Sequence, residues 1–248
     1  MCLLAIQYQA TEDCPILVAQ NREELFDRPT QPPRIQSGRP RVICGIDRKA
    51  GGTWLGVNQH GLFVAVANRL KTMVPAEPRS RGLLCRELLG FLTAREAAEH
   101  AARELAGGCY AGANYICADA NWGGVVCGGN QVRTVELKPG LHLIANGNLD
   151  DHRDERLDFV RRLLTLQRLD SAVAFLAVAS RSFSRKPARD GRRGVIITGN
   201  QYGTVSSTLL ALPYKSQNAV YQYAPGAPSE CAYDDLSALL RQVLSTDR

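Results

Sequence analysis

The order of elements written into this sequence predicts an α+β fold in one domain spanning 1–248. Three observations carry that reading. Short apolar runs bounded by turn residues fill the first quarter, the middle and the region after 194, with the length and composition of strands. Between these blocks, 80–105 and 154–178 each hold a pair of segments with the length and apolar spacing of helices. The resulting order of strands, helices, strands, helices, strands is layered, unlike the strict alternation of a doubly wound parallel sheet, and no linker divides it.

The first strand opens on Cys2 and runs through Leu3-Leu4-Ala5-Ile6 to Gln7-Tyr8. Thr11-Glu12-Asp13-Cys14-Pro15 supplies turn chemistry, and Ile16-Leu17-Val18-Ala19 is the return strand. That hairpin delivers Asn21-Arg22-Glu23-Glu24 back beside Cys2. From Pro29 through Pro32-Pro33 to Pro40, the proline density predicts a loop. Strands are expected at 42–46, 51–57 and 62–67, with turns at 47–50 and 58–61. Helices follow at 80–92 and 94–105, ended by Gly107-Gly108. A second strand block covers 114–118, 124–127, 132–137 and 141–145, and two more helices cover 154–167 and 169–178. Strands at 195–198, 204–212 and 219–223 and a helix at 234–244 close the chain.

Composition bounds the function classes. With 45% apolar and 22% charged residues the chain is of ordinary globular type. No apolar run approaches the roughly 18 residues of a membrane span, and no basic segment leads a longer apolar stretch at the start. A soluble, cytoplasmic protein is the expectation. The eight cysteines, at 2, 14, 44, 85, 109, 117, 127 and 231, form no Cys-x-x-Cys and no zinc spacing, which predicts reduced thiols and no metal site. The net charge of +6 is densest from Arg181 through Arg185, Lys186, Arg189 and Arg192 to Arg193, against Asp190 alone. Pro187, Gly191 and Gly194 mark that stretch as a loop. It lacks aromatic interleaving, so nucleic acid is not the expected partner. A solvated loop, or one that meets an acidic substrate, is expected.

Two readings stand for Cys2. It is a small apolar filler, or it becomes the amino-terminal residue once Met1 is clipped, which a side chain this small permits. In the second case one residue carries both nucleophile and base. A free α-amino group, with a pKa of about 7.7–8.0, accepts the thiol proton near neutral pH. Arg22 is a solvent-facing turn residue or a fixed cation that lowers a thiol pKa and holds an anionic substrate. Asn68, at the end of an apolar strand, is a turn residue or an oxyanion donor, and Asn146 or Asn148 presents the same choice. Trp54 reads as a core or pocket-wall residue.

The residues together resemble a known family. Met1-Cys2-Leu3, Val18-Ala19-Gln20-Asn21-Arg22-Glu23-Glu24 with Arg28-Pro29-Thr30, Gly51-Gly52-Thr53-Trp54-Leu55-Gly56-Val57 and Ala67-Asn68 fit the NRDE family, also called the transport and Golgi organisation protein 2 family. Ser80-Arg81-Gly82, Asn146-Gly147-Asn148-Leu149-Asp150 and Tyr202-Gly203-Thr204-Val205-Ser206-Ser207-Thr208 continue the match in order. The resemblance implies a four-layer αββα sandwich of the N-terminal-nucleophile hydrolase type, with two stacked, mainly antiparallel sheets flanked by helices. It also implies an amidohydrolase acting on a linear C–N amide bond. In that picture Cys2 is the nucleophile, Arg22 orients the site, and Asn68 with Asn146 binds the oxyanion. Asn21, Glu23, Trp54 and Arg69 line a small-molecule amide. No cofactor is required. The alternative that the resemblance permits is a non-catalytic haem carrier on the same fold, for which His60, His100, His142 and His152 offer four isolated imidazoles. Two departures from the family pattern stand out: Glu23 occupies the Asp position of Asn-Arg-Asp-Glu, and Val205 stands where the family usually carries Arg.

Overall fold

A computed structural model describes residues 2–187 and 193–245. In chain order the strands and helices are β1 (Cys2–Tyr8), β2 (Ile16–Leu25), β3 (Thr30–Gln36), β4 (Val42–Asp47), β5 (Leu55–Asn58), β6 (Phe63–Asn68), α1 (Arg81–Leu88), α2 (Ala94–Ala106), β7 (Ala113–Ala118), β8 (Gly123–Gly128), β9 (Val132–Glu136), β10 (Gly140–Ile144), α3 (Glu155–Thr165), α4 (Ala172–Phe183), β11 (Tyr202–Leu212), β12 (Val220–Ala224), β13 (Asp234–Asp235) and α5 (Ser237–Leu244). They form two compact units, Met1–Asp27 with Pro139–Ala238 and Arg28–Lys138 with Leu239–Arg248.

The first unit is built on a six-stranded antiparallel sheet in the order β10-β1-β2-β11-β12-β13. The opening hairpin forms because a continuous apolar run meets a turn that satisfies its own backbone. Gln9 takes a positive φ and its N–H donates to Pro15 O at 2.7 Å, while Thr11 Oγ1 donates to Cys14 O at 2.6 Å. The register that follows sets Cys2 directly across from Arg22. Alternation then sorts the side chains. Leu3, Ala5, Leu17, Ala19 and Leu143 turn to one face, where they pack with Leu157, Val160 and Leu164 of α3 and Phe175, Val178 and Phe183 of α4. Cys2, Leu4, Ile6, Val18, Gln20 and Arg22 turn to the other face. Both helices start on side-chain caps, Asp154 for α3 and Ser171 for α4.

The second unit is a seven-stranded antiparallel meander in the order β3-β4-β5-β6-β7-β8-β9. Val64 and Val66 of β6, with Tyr115 and Cys117 of β7, pack under α1 and α2. The buried side of α2 is Ala94, Ala97, Ala98, Ala101 and Leu105, a small-residue stripe that lets the helix lie close to the sheet. Its start is a capping box between Thr93 and Glu96.

The α+β class is the class observed, with antiparallel sheets carrying helices on one face. Several boundaries differ from the sequence expectation. The proline-rich stretch expected as a loop contains β3. As the outermost strand it tolerates Pro32 and Pro33, which have no N–H to give a ladder, and the register shifts between Gln31 and Arg34 to accommodate them. No strand forms at 195–198. The N–H groups of Val195 and Ile196 both turn to Arg185 O, and only Thr198 makes an isolated bridge, to Gly203. The last helix begins at Ser237 rather than 234, because Asp234 and Asp235 pair with β12 and Asp235 accepts the Ser237 N–H at 2.9 Å. Arg181, placed in the basic loop by sequence, belongs to α4. Of that loop, Arg189, Asp190, Gly191 and Arg192 lie outside the described residues. All eight cysteines are free thiols. Among the described residues no helix is long and apolar enough to cross a membrane, and no cluster of metal-ligating side chains occurs.

Candidate active site at the Cys2 end of the first sheet

Cys2 is the first residue of β1 and is 8% exposed. Arg22 lies opposite it on β2 and Ser206 of β11 lies opposite Arg22, so the three occupy one line across the sheet. Burial pushes the Cys2 thiol pKa up. The amino-terminal charge pulls the other way, as do the Glu23 backbone and, least, the Arg22 charge, while the Glu23 carboxylate adds to the rise. Arg22 also approaches Glu24, two residues along the same strand face, at 3.8 Å.

Asn146 reaches this end by a different route. The β1–β10 register ends with Leu4 opposite Ile144, and Asn146 lies two residues beyond, in the turn that follows β10. The segment after β10 is held by Asp150, a residue with φ of 55°. Its carboxylate meets His142 Nδ1 at 2.6 Å, Arg161 Nη2 at 2.6 Å and the Leu143 N–H at 2.9 Å. Burial alone would raise the Asp150 pKa, but His142, Arg161 and the backbone donor together hold it below the usual carboxylate value. The Asn146 Oδ1 that this loop presents is shielded from water and has no hydrogen-bond partner among the described residues. The same is true of both amide atoms of Gln20, which is 1% exposed on the Cys2 face of β2.

Asn21 and Glu23 fall on the opposite, helix-facing side, as the period of a strand requires. Asn21 Nδ2 donates to Phe183 O of α4 at 3.0 Å. The Glu23 side chain is fully buried and takes a guanidinium fork from Arg156 of α3, with Nη1 to Oε2 at 3.0 Å and Nη2 to Oε1. Arg156 Nη2 also donates to Val195 O at 2.8 Å, and Tyr202 Oη donates to the Glu23 carbonyl at 3.0 Å. Burial raises the Glu23 pKa, and Arg156 opposes that rise. Val205 is the extra residue of a bulge in β11, between Thr204 paired with Glu23 and Ser206 paired with Arg22.

The remaining sequence candidates belong to the second unit. Asn68 ends β6 opposite Ala113, and alternation gives it the face of Val64 and Val66. Arg69 donates from Nη1 to Asn114 Oδ1 at 3.2 Å, and its chain passes over Gly129, where a Cβ would stand 2.8 Å from Nε. The Trp54 ring lies on Gly45, where a Cβ would meet it at 2.4 Å. Gly52 and Gly82 bring the two motifs around them into backbone contact. A Cβ on Gly52 would lie 2.1 Å from Gly82 C, and the Thr53 N–H donates to Gly82 O at 2.9 Å. Asn58 accepts from the His60 and Leu62 N–H groups and donates to the Leu89 and Phe91 carbonyls, which docks the β5–β6 turn on the end of α1.

Sequence reasoning missed Arg156, Gln20 and the organising role of Asp150. Arg156 sat in a predicted helix and was not singled out there. Gln20 carried a signal, since a strand period extended past Ala19 puts it on the face of Arg22.

Two antiparallel sheets, each backed by helices, define the fold of this chain as α+β. A solved structure bears this out at the level of fold: the Caenorhabditis elegans N-acylethanolamine-hydrolyzing acid amidase ortholog is similar with a TM-score of 0.56 and 13% identity, over 85% of this chain and 92% of that one. The family model described as Transport and Golgi organisation 2 matches residues 1–222, and the chain belongs to that family. Curated relatives include the Transport and Golgi organization protein 2 homolog of Bos taurus, 32% identical over 145 residues, and that of Homo sapiens, 30% identical over 145 residues. Each alignment covers 54% of this chain and 51% of the relative, so the chain spans about half the length of the curated relatives it matches.

Proposed function

We propose that this protein is an amidohydrolase that cleaves a linear C–N amide bond of a small molecule, with Cys2 as amino-terminal nucleophile. The observation that carries the reading is the position of Cys2 as the first residue of the buried strand β1, with Arg22 across from it on β2. Removal of Met1 turns the Cys2 nitrogen from an amide into an amine. That amine takes the thiol proton, and the thiolate sulfur attacks the substrate carbonyl carbon. The carbonyl oxygen becomes an oxyanion, for which the Asn146 amide is the donor this unit offers. Collapse breaks the C–N bond, and the leaving nitrogen takes the proton back from the Cys2 ammonium. Water then attacks the thioester, and its proton passes through the same amine as the carboxylic acid and free thiol are released. The buried thiol has a raised pKa in the resting chain, so the proton-accepting amine and the Arg22 charge are what make it a nucleophile at neutral pH.

The test is turnover and thioester trapping on a panel of acyl amides, for wild type and Cys2→Ala. The reading requires an acyl adduct on the peptide that begins at Cys2 and loss of both adduct and turnover in the variant. Turnover that survives in Cys2→Ala would end it.

A further inference from the structure

One contact at this end of the sheet is not used by the chemistry above: the fully buried Glu23 carboxylate takes a fork from the Arg156 guanidinium. Arg156 stands in the first turn of α3, fixed there because Asp154 accepts its backbone N–H at 2.9 Å. Its side chain makes three hydrogen bonds, two to Glu23 and one to Val195 O. Glu23 is the strand residue next to Arg22, which the register sets across from Cys2, and its backbone is among the influences that lower the Cys2 thiol pKa. Its carbonyl is taken by Tyr202. Backbone and side chain of this one residue therefore join the thiol to α3. The titratable and charged groups around the pair are the amino-terminal charge, Cys2, Arg22 and Glu24 on β1 and β2, Tyr202 on β11, and Arg156 itself.

We propose that Arg156 is a positioning residue for Cys2, acting through Glu23: its fork keeps the Glu23 carboxylate neutralised and the β2 backbone seated against the thiol. A carboxylate buried without a partner cannot stay both charged and in place. If it stays charged, its field opposes thiolate formation on the neighbouring cysteine. If it moves toward water, it carries the Glu23 backbone away from Cys2. Either way the thiolate loses support, so Arg156 stabilises the reactive form of Cys2 without touching it. The extra methylene of Glu over Asp belongs to this arrangement, since it lets the carboxylate reach the α3 guanidinium from a strand position.

The importance of this device for catalysis rests on the proposed amidohydrolase, but its test does not. The pH dependence of Cys2 alkylation by iodoacetamide, read on the Cys2 peptide by mass spectrometry in the folded protein, reports the thiol with or without turnover. Arg156→Met is expected to slow Cys2 alkylation at pH 7 about tenfold, the equivalent of about one pKa unit on the thiol. Removing the carboxylate as well, in Glu23→Gln/Arg156→Met, is expected to return the rate to within about twofold of Glu23→Gln, since no unpaired charge remains. Arg156→Lys, a point charge in place of a fork, should fall between wild type and Arg156→Met. Should Arg156→Met prove too unstable, the double variant and Arg156→Lys carry the comparison. An unchanged alkylation profile in folded Arg156→Met or Arg156→Lys, with only thermal stability reduced, would make Arg156 a structural residue and overturn the proposal. If alkylation responds as expected while no amide is turned over, the device stands and the amidohydrolase reading fails.

Discussion

The Gly52–Gly82 contact of the second unit and the Cys2 end of the first unit are both built from motif residues, yet they use those residues in opposite ways. Around Gly52, Thr53, Gly82 and Asn58, hydrogen-bond capacity goes into backbone groups: Thr53 N–H donates to Gly82 O, and the Asn58 amide donates two bonds and accepts two. In the first unit, Gln20 on the Cys2 face of β2 and Asn146 Oδ1 after β10 are buried and have no partner among the described residues. Unsatisfied groups cost stability, and they recur where a protein's polar atoms are reserved for something other than its own fold. A sequence motif can therefore be highly specific for two unrelated reasons. In one region only glycine lets two backbones touch; in the other, buried polar groups stand without partners among the described residues.

This contrast is open to direct attack, and the largest expected effect lies in the first unit. Cys2→Ala should reduce turnover of any amide substrate by about 10⁴-fold or more, while thermal unfolding moves by less than about 1 kcal/mol. The mirror image is Gly52→Ala, where the new Cβ meets Gly82 backbone at 2.1 Å. It should cost about 3 kcal/mol or more in denaturant unfolding, because neither partner in the clash is a flexible side chain. A pair of asparagines sharpens the comparison. Asn146→Ala should lower kcat by about 10²-fold with stability held within about 0.5 kcal/mol. Asn58→Ala should cost about 2–3 kcal/mol of stability by stranding two carbonyls and two N–H groups, with no change in kcat for the folded fraction. If Asn146→Ala proved as destabilising as Asn58→Ala, the distinction between the two regions would be lost.

The smallest effect separates positioning from chemistry within the first unit. Asp150→Asn should cost about 1–2 kcal/mol at pH 7, from weakened pairing with Arg161 and His142. The folded pKa of Asp150 is depressed, so its contribution is fully present above the unfolded carboxylate value of about 3.9 and is lost as pH falls through the lower folded value. The stability gap between wild type and Asp150→Asn should therefore close as pH falls below about 4. A gap that held at pH 3 would place the origin of the effect elsewhere.

Much of this was legible in the sequence, and what was not has physical causes. The strand-opening Cys2 and the hairpin that returns Arg22 to it followed from an apolar run, a turn and a register, all local. The α+β class followed from block order. Proline density misled at 29–40, because an outermost strand can do without the N–H groups that Pro32 and Pro33 lack. At 195–198 an apolar run signalled a strand, but the N–H groups of Val195 and Ile196 are taken by Arg185 O. Asn21 and Glu23 were grouped with Arg22 by adjacency, whereas a period of two sends them to the helix-facing side. Arg156 was invisible for a different reason. Its partner is 133 residues away in the chain, and no local pattern announces a pairing of that range.

The central claim is that Cys2 works as an amino-terminal residue, and the intact mass of the purified protein tests it most directly. The account predicts a mass lower than the full sequence by one methionine residue, which leaves Cys2 with a free amine beside its thiol. A mass that retains Met1 would leave that nitrogen in an amide bond with no useful basicity, and it would contradict the nucleophile-and-base pair on which the proposed hydrolysis depends.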